Sequence, residues 1–203
     1  MDQSVTFYTI SSETQGFYKE KGSKFFAHAF PVNSEAQIRE RLDQLRKMYH
    51  DARHHCYAYK LGLHQPIIRA NDDGEPNHSA GDPILGQIRA FDLTDTLVVV
   101  VRYFGGTKLG VGGLVHAYKT AAEDALIKIQ KIEVFEKLQF EIVYSYEQTP
   151  TVERLIQQFE LHDLDRKFEA QCVLEACVRK HHKELVDQFT TDQMLSIHWK
   201  DQV

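Results

Sequence analysis

The chain has 203 residues, of which 42% are hydrophobic and 26% charged, and this balance excludes a disordered, collagen-like or coiled-coil protein. The formal net charge is −5. Residues 1–133 carry 16 basic and 16 acidic side chains against 8 and 13 in residues 134–203, so the whole deficit falls in the last third and coating of nucleic acid by bulk charge is excluded.

The longest apolar run, Leu97–Val101, is far too short to span a bilayer. The N-terminus has neither a basic segment nor an apolar core of the secretory kind. Three cysteines, Cys56, Cys172 and Cys177, are too few and too scattered for a disulfide framework. The expectation is a cytoplasmic protein with no membrane partner, its oligomeric state left open.

In chain order, a strand is expected near Val5–Ile10 and an aromatic-rich one over Lys24–Val32. Ser34 with Gln37 three residues later makes a capping-box pattern. Ile38, Leu42, Leu45 and Tyr49 then repeat at helical spacing, which predicts a helix over 35–49. A strand follows at His54–Leu61, with Cys56 and Ala58 on the face opposite Tyr57 and Tyr59. Residues 71–83 (NDDGEPNHSAGDP) read as a long polar loop. A short helix is expected at Ile84–Phe91. The β-branched run Thr96–Phe104 predicts a central strand covered on both faces. A glycine-rich segment and a helix carrying Leu114, Tyr118, Ala121, Ala122 and Ala125 follow.

Beyond Ile132–Glu136 the pattern changes. Leu138, Phe140, Ile142 and Tyr144 alternate as a half-buried strand. Thr149-Pro150 reads as a helix cap followed by proline at the first helical position. Strands near Leu164–Phe168 and Cys172–Val178, a helix with Leu185, Val186 and Phe189, and a strand at Met194–Trp199 complete a β-α-β-β-α-β order. The fold class expected is α+β: an N-terminal α/β domain, residues 1–133, and a C-terminal ferredoxin-like domain, residues 134–203.

Chemistry concentrates in the segment Arg102–Gly113. Gly105, Gly106, Gly110, Gly112 and Gly113 leave a strand and open a helix, where backbone N–H groups and the helix dipole favour an anion. Arg102 and Lys108 add positive charge, and Arg69 and His55 are expected nearby. The order fits neither a Walker A loop nor G-x-G-x-x-G, since position 115 is Val. Gly112 is expected to need a positive φ or close approach. The alternative for all five glycines is a tight turn with no ligand.

Asn71–Glu75 (NDDGE) offers three carboxylates to a hard cation, but a turn with solvated acids is the preferred reading. His54 and His55 point to opposite strand faces and have no second ligand pair, which argues against zinc. Cys56 with His55 or His78 lacks an oxyanion-hole pattern. No catalytic residue, metal or cofactor is assigned.

The stretches NDDGEPNHSAGDPIL and VVVVRYFGGTKLGVGGLVHAY, with DARHHCYAYKLG, resemble the signature blocks of the IMPACT family in its bacterial, YigZ-like branch. The likeness runs along the whole chain. One departure is Asn77-His78-Ser79, where relatives usually show Ser-Gly-Thr. The resemblance implies an N-terminal domain of the ribosomal-protein second-domain-like fold and a C-terminal domain similar to the last domain of a ribosomal elongation factor. Both analogies point toward RNA and the ribosome. Eukaryotic relatives carry a further N-terminal domain and act in translational control; the chain opens directly on the family block, so that domain's partner is not expected here.

Two functions follow. The favoured one is a non-catalytic protein that binds RNA or the ribosome and is linked to translational regulation, with Arg69, Arg102, Lys108 and His55 meeting phosphates and Tyr57, Tyr59, Tyr103 and Phe104 offering stacking faces. The alternative is an enzyme acting on a small phosphorylated or acidic ligand at Gly105–Gly113, with Asp72, Asp73 or Glu75 as acid, base or metal ligand.

Overall fold

The computed structural model of the protein describes residues 7–200, which fall into two compact units, 7–134 and 135–200, each mixed α/β. The first contains β1 (Phe7–Ile10), β2 (Thr14–Glu20), β3 (Ser23–Pro31), α1 (Glu35–Met48), β4 (His54–Leu61), β5 (Ile67–Asn71), α2 (Gly81–Ala90), β6 (Thr96–Tyr103), α3 (Gly110–Leu126) and β7 (Lys131–Val134). Five strands form an antiparallel sheet in the order β2-β3-β6-β4-β5, and β1 pairs with β7 in a separate two-stranded ribbon.

The β-branched run that marks β6 puts it at the centre of the sheet. Its alternate residues serve two cores, because successive side chains on a strand point to opposite faces. Val98 and Val100 pack with Ile84, Ile88, Leu114 and Tyr118 from α2 and α3. Leu97, Val99 and Val101 pack with Ile38, Leu42 and Leu45 from α1. Each fully buried valine contributes on the order of 1.5–3 kcal/mol. Cys56 and Ala58 lie on the α2–α3 face, and Tyr57 and Tyr59 on the α1 face. Ser34 caps α1 by accepting from the Gln37 N–H at 3.3 Å, and Gln37 in turn accepts from the Asn33 N–H at 2.9 Å.

The second unit contains β8 (Lys137–Tyr144), α4 (Thr149–Gln158), β9 (His162–Phe168), β10 (Cys172–Arg179), α5 (Lys183–Asp192) and β11 (Ser196–Trp199). Its sheet runs β11-β8-β10-β9, antiparallel throughout. The inward residues of β8 and β10 pack on Val152, Leu155 and Val186.

Several boundaries differ from the sequence reading. Strands β2, β5 and β7 were not foreseen. The helix α2 begins at Gly81, three residues early, and α3 begins at Gly110, inside the glycine run. Thr149 is already helical and Gln148 is the cap, with Pro150 in the first turn, where its missing N–H costs no helical bond. Val5 lies outside the described residues.

Candidate anion-binding loop and its buried support

The segment after β6 rests on a buried polar cluster. Arg102 is only 6% exposed. Its guanidinium donates to Glu75 Oε1 at 2.5 Å and to Ser23 Oγ at 3.5 Å. It also lies 5.6 Å from the ring centres of both Phe25 and Phe104. Tyr118 from α3 donates to the same Glu75 oxygen at 2.9 Å. The Cys56 thiol sits 3.3 Å from the Tyr118 hydroxyl and 3.0 Å from the Asp72 carbonyl. Burial pushes the Cys56 thiol and the Tyr118 hydroxyl well above their ordinary ranges, so both stay protonated. A protonated buried thiol is not a nucleophile.

The acidic loop closes on itself. Burial pushes the Asp72 carboxyl up, but the Gly81, His78 and Ala80 N–H donors outweigh it and hold the carboxyl below its ordinary value. Asp73 accepts from the His55 N–H at 2.6 Å. The reading of NDDGE as solvated acids is therefore corrected: Glu75 is buried because Arg102 offsets its charge, and Asp72 and Asp73 staple the loop to α2 and β4. Among the described residues no group of three His, Cys, Asp or Glu converges as a metal site. His78 adopts φ +63°, a left-handed backbone that favours glycine, and its ring reaches Asp82 at 2.7 Å. The chain thus keeps a glycine-like turn at the position where it departs from the family pattern.

The glycines divide into two kinds. Gly105 is a wedge: a Cβ there would lie 1.9 Å from the Gly22 carbonyl carbon and 2.0 Å from the Ser23 nitrogen. Its N–H donates to Ser23 Oγ at 3.1 Å. Gly106, Gly110 and Gly112 face open space. Gly106 and Gly110 need their positive φ, +88° and +71°. Gly112 does not have a positive φ, which corrects the expectation of backbone necessity there. It stands exposed in the first turn of α3, where nothing in the chain needs a missing side chain.

Of the other residues singled out from sequence, Lys108 is exposed in the loop and Gly113 is half-buried behind it. The structure does not bring Arg69 or His55 to this place. Arg69 lies on the edge strand β5, opposite Tyr59. His55 is buried, and burial lowers its pKa against the opposing pull of Asp73. Arg102 is present, but its charge is spent on Glu75. Tyr57 and Tyr59 are 9% and 4% exposed and offer no free stacking face.

One basic residue missed in the sequence, Lys21, is brought here by the β2–β3 hairpin. Its turn, Lys21-Gly22, with φ of +46° and +82°, packs on Gly105. Lys19 is opposite Lys24 in the β2–β3 register and Lys24 is opposite Tyr103 in the β3–β6 register, so both lysines lie on the α1 face with Tyr103, away from α3. Among the described residues Lys21 and Lys108 are exposed and their side chains make neither hydrogen bonds nor ion pairs. Phe104, 57% exposed, stands beside them. The arrangement is a pair of free lysines, Lys21 and Lys108, beside an open glycine turn and the N-terminus of α3, an anion-attracting combination.

The model of the Impact N-terminal domain matches residues 21–126, the span that holds the hairpin turn, the acidic loop and the glycine segment. The IMPACT family member YvyE of Bacillus subtilis is 37% identical over 128 residues, covering 63% of this chain and 59% of that protein. An IMPACT family member of Haemophilus influenzae is 31% identical over 166 residues, covering 80% of this chain and 81% of its own length. A crystal structure of a hypothetical protein overlays 98% of this chain with a TM-score of 0.70 at 23% identity, a likeness of fold. No helix among the described residues is long and apolar enough to cross a membrane. Sequence, signature segments and the cluster they build agree, and the chain belongs to the IMPACT family.

Proposed function

We propose that this protein is a non-catalytic RNA-binding protein of translational regulation that grips single-stranded RNA at the glycine loop. The observation that carries this reading is the pair of unpaired lysines, Lys21 and Lys108, beside the open glycine turn. Phosphates meet Lys21 and Lys108 and the free amides of the first turn of α3, while exposed Phe104 supplies a stacking face. An open Gly112 lets the ribose-phosphate chain approach the helix backbone. The link to translation is what family membership implies. The β-α-β-β-α-β order and strand order of the second unit support a ferredoxin-like assignment. The first unit is read as the ribosomal-protein second-domain-like fold. Both analogies favour a ribosomal setting. The enzyme alternative has its acids occupied elsewhere: Asp72, Asp73 and Glu75 all hold the fold.

The test is the salt dependence of affinity for a labelled single-stranded RNA, read by fluorescence anisotropy. Two lysine–phosphate contacts predict a slope of log K against log salt of about −1.4. Replacing Lys108 with Gln reduces the magnitude of that slope by about 0.7. A flat response, or no binding at low salt, contradicts the reading.

A further inference from the structure

The sheet of the first unit is covered unequally. Two helices, α2 and α3, cover one face, but only α1 covers the other. Five strands span roughly 19 Å, and one helix covers about 10 Å. Beside α1 this leaves a cleft of about 290 Å³, with Tyr57 and Tyr59 as its floor, Ile38 and Leu42 on the helix side, and Arg69 on the β5 side. At its mouth Glu35 accepts from the Tyr59 hydroxyl at 3.2 Å and lies 3.8 Å from Arg39. Arg69 makes no ion pair among the described residues.

The wall formed by β5 is also a free sheet edge. It is last in the strand order, and its pairing with β4 runs without a bulge. Ile67 and Ile68 are 51% and 42% exposed. An edge strand normally carries a lysine, a proline or a bulge to block further pairing. The strand IIRAN has no proline or bulge and a single charge, Arg69.

We infer that β5 receives an extended peptide segment of a partner protein by strand addition, with an acidic side chain of that segment entering the cleft beside Arg69 and Arg39. Backbone groups of the peptide pair with the free edge, and alternate side chains fall toward the cleft, as strand addition requires. The apolar side chain of Ile68, on the opposite face from Arg69, then buries against the residues that flank the acidic one. The charge of Arg69, which meets the Tyr59 hydroxyl but no carboxylate among the described residues, selects against a basic segment. RNA suits this place poorly, because both tyrosine rings are buried and the unsatisfied groups are those of a backbone edge. A second copy paired antiparallel about the centre of β5 sets Arg69 against Arg69. This site is separate from the glycine loop and stands whether or not RNA binds there.

The experiment uses the full chain and three labelled peptides: alternating valine and glutamate, alternating valine and lysine, and the glutamate peptide with alternate amides N-methylated. The glutamate peptide is expected to bind at least about tenfold more tightly than the lysine peptide. N-methylation abolishes binding, and amide resonances of Ile67–Asn71 shift on titration. Arg69→Glu, an exposed change that leaves the thermal melt in place, inverts the charge preference. Equal binding of both charged peptides, or shifts confined to other strands, overturns the inference. Displacement by a polyuridylate oligonucleotide assigns the cleft to RNA instead. Shifts in β5 that follow protein concentration without peptide assign it to a second copy.

Discussion

At the scale of single residues, Gly105 and Gly112 look alike in sequence and do opposite things. Gly105 lets the β2–β3 turn and the glycine loop touch backbone to backbone. Gly105→Ala forces Gly22 and Ser23 away and is expected to cost about 2–3 kcal/mol in urea denaturation, the range of core overpacking. Gly112 has open space around it and sits at the third position of α3. Gly112→Glu gains helix propensity and places a negative charge at the positive end of the helix dipole. The expected result is a protein more stable by about 1 kcal/mol whose RNA affinity falls about tenfold. Loss of stability in Gly112→Glu contradicts the assignment of that glycine to a ligand.

Elements are tied together here by one buried ion pair. Glu75 joins the acidic loop to β6 through Arg102 and to α3 through Tyr118. Glu75→Gln leaves the Arg102 guanidinium buried without its counter-charge and is expected to cost about 3–5 kcal/mol. The double change Glu75→Gln with Arg102→Met recovers part of that loss. A cost below about 1 kcal/mol for the single change shows that solvent reaches the pair. Much of this level was legible. The helix over 35–48 and the strands β4 and β6 follow from caps and clean periodicity. Strand β2 was not, because its core-facing position is Gly16, where a Cβ would come 2.4 Å from the Ala125 nitrogen of α3. No apolar alternation signals such a strand. Strand β5 was hidden because edge position leaves Ile67-Ile68-Arg69 without a two-residue pattern. The glycine loop itself was visible. Lys21 was not, since its hairpin turn reaches the loop only by packing Gly22 on Gly105, some eighty residues away in sequence. Arg102 was misplaced for a related reason: a charged side chain goes inside only when its partner is known, and Glu75 lay in a loop read as solvated.

For the molecule as a whole, the two buried histidines of the first unit set a pH dependence. Burial lowers the pKa of both His28 and His55, with Glu13 and Asp73 opposing. The unfolded chain therefore binds more protons below about pH 6.5 than the folded chain does. Stability is complete above that value and is lost as the pH falls through it, by up to about 1.4 kcal/mol per pH unit for each histidine. Urea midpoints measured between pH 7.5 and 5.5, about one unit either side of the ordinary histidine value, are expected to fall in the parent protein and to flatten in the His28→Gln, His55→Gln double variant. The most direct measurement of the central claim is ultraviolet crosslinking in living cells, with the crosslinked peptides identified by mass spectrometry. RNA bound at the glycine loop predicts crosslinks within Glu20–Lys24 and Tyr103–Gly113, at Phe104 above all, that disappear when Lys21 and Lys108 are changed to Gln. The absence of crosslinked RNA, or crosslinks confined to residues 135–200 and unchanged in that variant, contradicts it.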